Sequence, residues 1–370
     1  MTAPAGARMA RVLRWTVRKL LRAIAIFLLC FLVVELGVRF YVLRWQPQLR
    51  ELAHTFQPDP ATGYSLVPNR SLEAPGNANA GGHSWHFDSN AQGLRGPDLA
   101  PRVPGQCRLL MLGGSYVYGI GVEASETAAA LLEAHLRASS DRPVLVINAG
   151  TPAFGLVEQY RQYLARGADL DVDGVVLPYL QRDDLDGLRH FKLADGMLFT
   201  DPVLFAGHPS FVIEFLAGDN IYVHESHDSF RHLIKHVVFR RPEDIIPRRA
   251  TATFDPAIKS WEVIEDLQRL ASTRNQPFLL ANFPFWESSP FAPGADPGHP
   301  AHAKTKAAPW AQDFFPVFWA TSSSPYLDGD HHWNELGHRL VADALFPWAS
   351  EVCQKVWERS APRLVTPPDK

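Results

Sequence analysis

Two places in the chain hold residue types whose spacing could do chemistry. The first is Gly113-Gly114-Ser115-Tyr116-Val117-Tyr118-Gly119, directly after the apolar run Leu109-Leu110-Met111-Leu112. A serine on a glycine-flanked turn at the end of a buried strand can present its hydroxyl as a nucleophile and its own backbone N–H to a developing oxyanion. Glycine-rich strand ends also cradle phosphates or simply turn the chain. This one lacks the Lys-Ser/Thr of a P-loop and the spacing of a dinucleotide fingerprint. The second place is Asp328-Gly329-Asp330-His331-His332-Trp333-Asn334-Glu335-Leu336-Gly337-His338. A neutral imidazole oriented by a carboxylate can take the serine proton, and the carboxylate then stabilises the imidazolium. Two registers meet that need: Asp330 precedes His332 by two residues, and Asp328 precedes His331 by three. Taken alone, the same loop could bind a metal, or cap a helix starting at Asn334.

Other residues with suggestive spacing carry less. His224 and His227 stand three apart and His232 and His236 four apart, but no carboxylate third ligand accompanies them in sequence. They are read as solvated or core histidines, and neither a metal nor a cofactor is expected. Phe211, Phe215, Tyr222, Phe283, Phe285 and Trp286 could line an acyl or sugar pocket, with core packing the preferred reading.

The elements that must position Ser115 and the histidines follow from the pattern of apolar runs. Leu109–Leu112, Val144–Ile147, Val175–Leu177 and Phe278–Leu280 are short and unbroken, as strands buried on both faces require. Between them lie segments of helical period: Glu126–Ala138, Gly155–Ala168 and Trp261–Thr273, with a last helix from Asn334 to about Trp357. The alternation predicts a flavodoxin-like three-layer α/β/α domain on a mostly parallel sheet, with its chemistry at the carboxyl ends of the strands. Residues 46–107 show no sustained period and read as an irregular lead-in to a domain over 108–358. An insertion over about 189–256 breaks the alternation, and Glu287–Pro309 reads as a surface loop.

The chain of 370 residues is 46% hydrophobic and 20% charged, with a net charge of -3, so no basic field exists to attract nucleic acid. Its amino end is different. Arg8, Arg11, Arg14, Arg18, Lys19 and Arg22 precede an apolar run, Ala23–Val34, that continues less purely to Trp45. Residues 1–22 are read as a basic cytoplasmic segment and 23–45 as one transmembrane anchor, with Glu35 and Arg39 able to pair on one helical face. The rival reading, a cleaved signal peptide, lacks a small-x-small cleavage site after the run. The excess of basic residues before the segment puts everything beyond about residue 45 outside the inner membrane, in the periplasm or another extracytoplasmic space. Cys30 lies in the apolar run. Of the remaining two cysteines, Cys107 and Cys353, the reading favours unpaired core thiols over a bridge.

Together, the serine turn and the Asp/His loop resemble the SGNH, or GDSL-like, hydrolase superfamily, in particular its bacterial membrane-anchored branch that includes polysaccharide O-acetylation proteins. The resemblance covers most of residues 55–350. Its first block, usually Gly-Asp-Ser, is matched by Gly113-Gly114-Ser115, continuing through Gly119-Ile120-Gly121-Val122 to Glu126-Thr127, and Asn90-Ala91-Gln92-Gly93-Leu94-Arg95-Gly96 looks like the lead-in these proteins often carry. In the last block the family histidine stands five residues before a glycine; this selects His332 before Gly337 as base, with Asp330 as its partner and His331 and Asp328 as alternatives. The second block's oxyanion-hole glycine is matched by Ala153 in Asn148-Ala149-Gly150-Thr151-Pro152-Ala153, whose N–H could donate if the turn needs no positive φ there. The third block's asparagine is matched by Arg182, so Gln181 or Arg182 would supply the side-chain donor to the oxyanion. An unreplaced donor would cost about 2.7–4 kcal/mol of transition-state stabilisation, which slows a reaction without abolishing it.

The resemblance implies a serine esterase or O-acyltransferase that works on carbohydrate or lipid esters through an acyl-enzyme on Ser115. It leaves two alternatives. One is a lysophospholipase or thioesterase; the other is a degenerate member that binds glycan or scaffolds an assembly.

Overall fold

The structure is a computed structural model that describes residues 5–45, 55–74, 84–180, 191–194, 197–200, 204–205, 208–209, 256–286, 289, 291, 308–328 and 332–360. In chain order its elements begin with α1 (Ala5–Trp45) and the strands β1 (Phe56–Asp59), β2 (Gly63–Leu66), β3 (Arg70–Ala74) and β4 (Trp85–Ser89). There follow β5 (Cys107–Gly113), α2 (Ser115–Tyr118), α3 (Ala128–Ser139), β6 (Val144–Gly150), α4 (Leu156–Arg166) and β7 (Gly174–Tyr179). Two short hairpins come next, β8 (Phe191–Ala194) with β9 (Met197–Thr200) and β10 (Leu204–Phe205) with β11 (His208–Pro209). The last elements are α5 (Pro256–Thr273), β12 (Phe278–Asn282), β13 (Ala311–Asp313), α6 (Phe315–Trp319) and α7 (Glu335–Ser360). The chain divides into two units, Met1–Glu51 with Pro202–Pro242, and Leu52–Asp201 with Glu243–Lys370.

The second unit is a three-layer α/β/α sandwich. Its sheet has the order β13-β12-β7-β5-β6, and every neighbouring pair is parallel. In chain order of these five strands this is 5-4-3-1-2, the flavodoxin arrangement, which changes direction between β5 and β7. Side-chain alternation along β5 makes the layers. Leu109 and Met111 enter a core with Leu132 and Leu136 of α3 and Val341 and Leu345 of α7. Leu110 and Leu112 enter the opposite core with Leu156 and Tyr163 of α4 and Ile264 and Leu267 of α5. Each such side chain stabilises the fold by about 1.5–3 kcal/mol when fully buried, so the run Leu109–Leu112 is apolar on both faces.

Three features depart from the sequence reading. Residues 55–99 are not wholly irregular: β1–β2 and β3–β4 are antiparallel hairpins of four- and five-residue strands, too short to display a period. Phe56, Tyr64 and Phe87 pack edge to face between them. The second is the three-residue edge strand β13, which no sequence pattern marks. The third is a correction. Cys107 and Cys353 are joined in a disulfide, Cα to Cα 5.3 Å, where the sequence reading favours unpaired thiols. The reason lies in packing: α7 lies over the face of the sheet that contains β5, so both residues enter the same core although 246 positions separate them.

In the first unit, α1 is one 41-residue helix, about 60 Å long at the usual rise per residue. Within it Arg14–Gly37 is long and apolar enough to cross a membrane. Arg14, Arg18, Lys19 and Arg22 are exposed on its amino-terminal part, and Lys19 stands 3.8 Å from the Trp15 ring centroid. The side chain of Arg39 lies outside those described, as does most of the 189–256 insertion, including His224, His227, His232, His236, Phe211, Phe215 and Tyr222.

Candidate active site

Strand β5 delivers Ser115 to the carboxyl edge of the sheet, beside the point where strand order reverses. There the chain turns at once into the single-turn helix α2. The helix sits unusually close to the end of β6, because a Cβ on Gly150 would fall 2.2 Å from the Tyr118 backbone nitrogen. Asn148 fastens the same junction: its Nδ2 donates to the Val117 carbonyl at 2.8 Å, and its Oδ1 accepts from the Gly150 N–H at 2.9 Å.

His332 reaches Ser115 from the other end of the chain. Its Nε2 lies 2.8 Å from Ser115 Oγ, across a sequence separation of 217. Both residues are half-buried. The imidazole is held by a small antiparallel pairing in which Tyr326 bridges Trp333, the Leu327 N–H donates to the His332 carbonyl at 2.9 Å, and the Asn334 N–H donates to the Pro325 carbonyl at 3.0 Å. Asn334 then locks the segment, its Nδ2 donating to the Ser324 and Tyr326 carbonyls and its Oδ1 accepting from the Gly337 N–H at the start of α7. Gly337 is needed for this approach, since a Cβ there would meet the Pro325 carbonyl oxygen at 2.3 Å. Trp333 is fully buried against Phe283 and Phe318 and anchors the pairing in the core, while Tyr116 lies 4.9 Å from the His332 ring.

For Nε2 to accept the serine proton, Nδ1 must carry the imidazole's own hydrogen. Asp330, its expected partner, and His331 lie outside the described residues. Asp328 is exposed and forms no hydrogen bond or ion pair with a described residue. Gln181 and Arg182, which follow β7 in sequence, also lie outside the described residues.

Ala153 is described, and its turn does not meet the condition of avoiding positive φ. The Thr151 N–H donates to the Gly113 carbonyl and the Phe154 N–H to the Thr151 carbonyl, closing a turn with Pro152 and Ala153 at its centre. Ala153 has φ +64°, so the turn does require positive φ at this position. A proline followed by a left-handed residue is the type II pattern, and Pro152 was the signal that could have shown it. An alanine holds this conformation at a cost of about 1–2 kcal/mol relative to the right-handed region. The strain leaves the N–H usable: neither Ala153 nor Ser115 donates its backbone N–H to an acceptor among the described residues.

Behind the site stands a second histidine. His338 is fully buried, and its Nδ1 accepts from the Ala128 N–H at 3.1 Å, capping the first turn of α3. Its hydrogen is therefore on Nε2, which has no hydrogen-bond partner among the described residues. Burial, reinforced by His332 and Arg95, lowers its pKa from 6.5 to about 3, so it stays neutral. Of the aromatics, Phe283 is core, stacked on Phe314 at 5.1 Å, whereas Phe285 and Trp286 are half-buried and Phe285 lies 5.9 Å from Tyr116. Among the described residues no cluster of three or more His, Cys, Asp or Glu could hold a metal ion.

No family model matches the chain, and no curated protein matches it. Solved structures do. A protein assigned to the lipolytic G-D-S-L family, from Desulfitobacterium hafniense DCB-2, is 13% identical with a TM-score of 0.35, over 66% of this chain and 98% of that one. The psychrotrophic esterase EstA from Pseudoalteromonas sp. is 13% identical with a TM-score of 0.35, over 68% and 97%. A two-domain esterase active on acetylated mannans is 14% identical with a TM-score of 0.39, over 72% of this chain and 53% of that one. Each of these three is thus a lipolytic protein or an esterase.

Proposed function

We propose that the chain is a serine esterase or O-acyltransferase of the SGNH kind, acting on carbohydrate or lipid esters. The observation that carries this reading is the 2.8 Å approach of His332 Nε2 to Ser115 Oγ at the carboxyl edge of a parallel sheet. In this reading His332 accepts the hydroxyl proton as Ser115 attacks the ester carbonyl, and Asp330 orients the imidazole. The N–H groups of Ser115 and Ala153, with Gln181 or Arg182, hold the oxyanion that forms. His332 then returns the proton to the departing alkoxide, leaving an acyl-serine that water or a sugar hydroxyl resolves.

Two independent features support a location outside the cytoplasm. The basic excess before the apolar helix orients residues beyond about 45 away from the cytoplasm, with residues 23–45 as a single anchor in the inner membrane. The Cys107–Cys353 disulfide supports an oxidising compartment such as the periplasm. An anchored enzyme there meets envelope or exported glycan esters first.

The test is labelling of the detergent-solubilised chain with a fluorophosphonate probe, comparing native protein with Ser115→Ala and His332→Ala, followed by assay on p-nitrophenyl acetate and acetylated glycans. Labelling lost in both variants is the expected result. A folded native chain that does not label would sink the enzyme reading and favour a glycan-binding scaffold.

A further inference from the structure

The helix that carries Ser115 cannot hold itself. α2 is four residues long, a single turn, and one turn has no cooperative stability of its own. Its position depends on tethers from neighbours, and the most elaborate of these comes from the lead-in region. Arg95 has a fully buried side chain. Its Nη1 donates to the His86 carbonyl at 2.7 Å and to the Tyr118 hydroxyl at 3.3 Å, and its Nη2 donates to the Val122 carbonyl at 2.9 Å. The guanidinium stands 4.7 Å from the centroid of the Tyr118 ring, and Asp88 lies 3.3 Å away as its counter-charge. The Arg95 backbone meanwhile bridges Asn148, the residue that fastens the Val117 carbonyl and the Gly150 N–H.

We infer that Arg95 is a positioning residue for the nucleophile: it fixes the carboxyl end of α2 against the end of β6, and with it the distance from Ser115 to His332 and to the Ala153 N–H. This rests on the reading of Ser115 as nucleophile. Stability alone does not call for a guanidinium here. Its Nε has no hydrogen-bond partner among the described residues, and a buried ion pair is by itself weak evidence of a role in stability. Geometry does call for it, because only a planar fork reaches two carbonyls on different segments and a phenol at once. Two sides of the site, the nucleophile turn and the strand that leads to the Ala153 turn, are thereby referenced to one residue.

The experiment uses the full chain in detergent and compares native protein with Arg95→Met, Arg95→Lys and Tyr118→Phe. Fluorophosphonate labelling rate, kcat and KM on p-nitrophenyl acetate, and near-UV circular dichroism are measured for each. Misplacing a reacting group by about 1 Å costs about 100-fold, so Arg95→Met is expected to lose about 30–100-fold in kcat and labelling rate with KM within about twofold and the fold intact. Arg95→Lys recovers part of the loss, and Tyr118→Phe, which keeps the ring and removes both the bond accepted from Arg95 and the one donated to the Asp88 carbonyl, loses about 3–10-fold. A folded Arg95→Met with native kcat overturns the inference. Should Arg95→Met fail to fold, Tyr118→Phe decides alone, and an unchanged kcat there overturns it as well. A native chain that never labels overturns the nucleophile reading and this inference with it, whereas native labelling with unaffected variants strikes Arg95 only.

Discussion

Cys107, the first residue of β5, and Cys353, within α7, are joined across 246 positions of sequence, so the bridge ties the strand leading to Ser115 to the helix that follows His332. Both residues are fully buried. Closing a loop of this length restricts the unfolded chain strongly, and removing the bridge is expected to cost about 2–5 kcal/mol. The non-reduced chain, denatured and titrated with a maleimide, should show one thiol, Cys30, and three after reduction. The paired substitution Cys107→Ala and Cys353→Ala should lower the urea midpoint by a corresponding amount. Three thiols in the non-reduced chain would remove the bridge and with it the support for an oxidising compartment.

Ala153 provides a second prediction because its strain and its proposed role belong to different atoms. The left-handed φ of +64° burdens the Cβ, while the oxyanion reading uses only the N–H. Ala153→Gly relieves about 1–2 kcal/mol of strain and gives back part of that through a looser unfolded chain, for a net gain of about 1 kcal/mol. Activity should stay within about twofold of native. Ala153→Val, which adds branching in the same region, should instead be clearly less stable than native in urea unfolding. A valine variant as stable as the native chain would contradict the turn geometry.

The pH dependence of stability follows from His338. In the fold, burial, with help from His332 and Arg95, holds its pKa at about 3, whereas the unfolded value is 6.5. Between these values the unfolded state binds a proton that the folded state refuses, so stability falls as pH falls through the window. The slope is about 1.4 kcal/mol per pH unit well below 6.5, which amounts to about 2 kcal/mol between pH 7.5 and pH 5. His338→Gln keeps an acceptor for the Ala128 N–H and has nothing to titrate, so its stability should decline less over the same interval. Equal declines in the two proteins would show that other groups set the acid sensitivity.

The sheet strands β5, β6, β7 and β12 were visible in sequence because burial on both faces leaves each with an unbroken apolar run, their few polar residues, Arg108, Asn148 and Asn282, standing near the strand ends. β13 was not, since three residues flanked by Trp310 and Phe314 have no pattern distinct from their surroundings. Ser115 stood out through its glycines, and His332 through its spacing to Gly337. The structure gives that spacing a physical content: Gly337 is where α7 must approach Pro325 closely to hold the histidine segment. Arg95 and Asn148 could not be read as parts of the site. Their role depends on a backbone bridge between segments separated by half a hundred residues, which no local pattern announces. His338 was likewise visible only as one more histidine of the loop, because its neutrality comes from burial by α3.

Asn334 concentrates the positioning of His332 in one side chain and so yields the sharpest test of the loop. It donates to the Ser324 carbonyl at 2.9 Å and the Tyr326 carbonyl at 3.0 Å, and it accepts from the Gly337 N–H at 3.0 Å. Asn334→Ala removes all three, at a cost of about 1–3 kcal/mol in stability. It should also lower kcat by about 10–100-fold with little change in KM, because the imidazole is no longer held at hydrogen-bond distance from Ser115. Asn334→Asp separates the two roles. The carboxylate still accepts from Gly337 and suits a helix amino terminus, but it faces two carbonyl oxygens to which it can no longer donate. The aspartate variant should therefore recover part of the stability and little of the kcat. If it recovers both, the two donated bonds do not position His332, and the cap on α7 alone maintains the geometry of the pair.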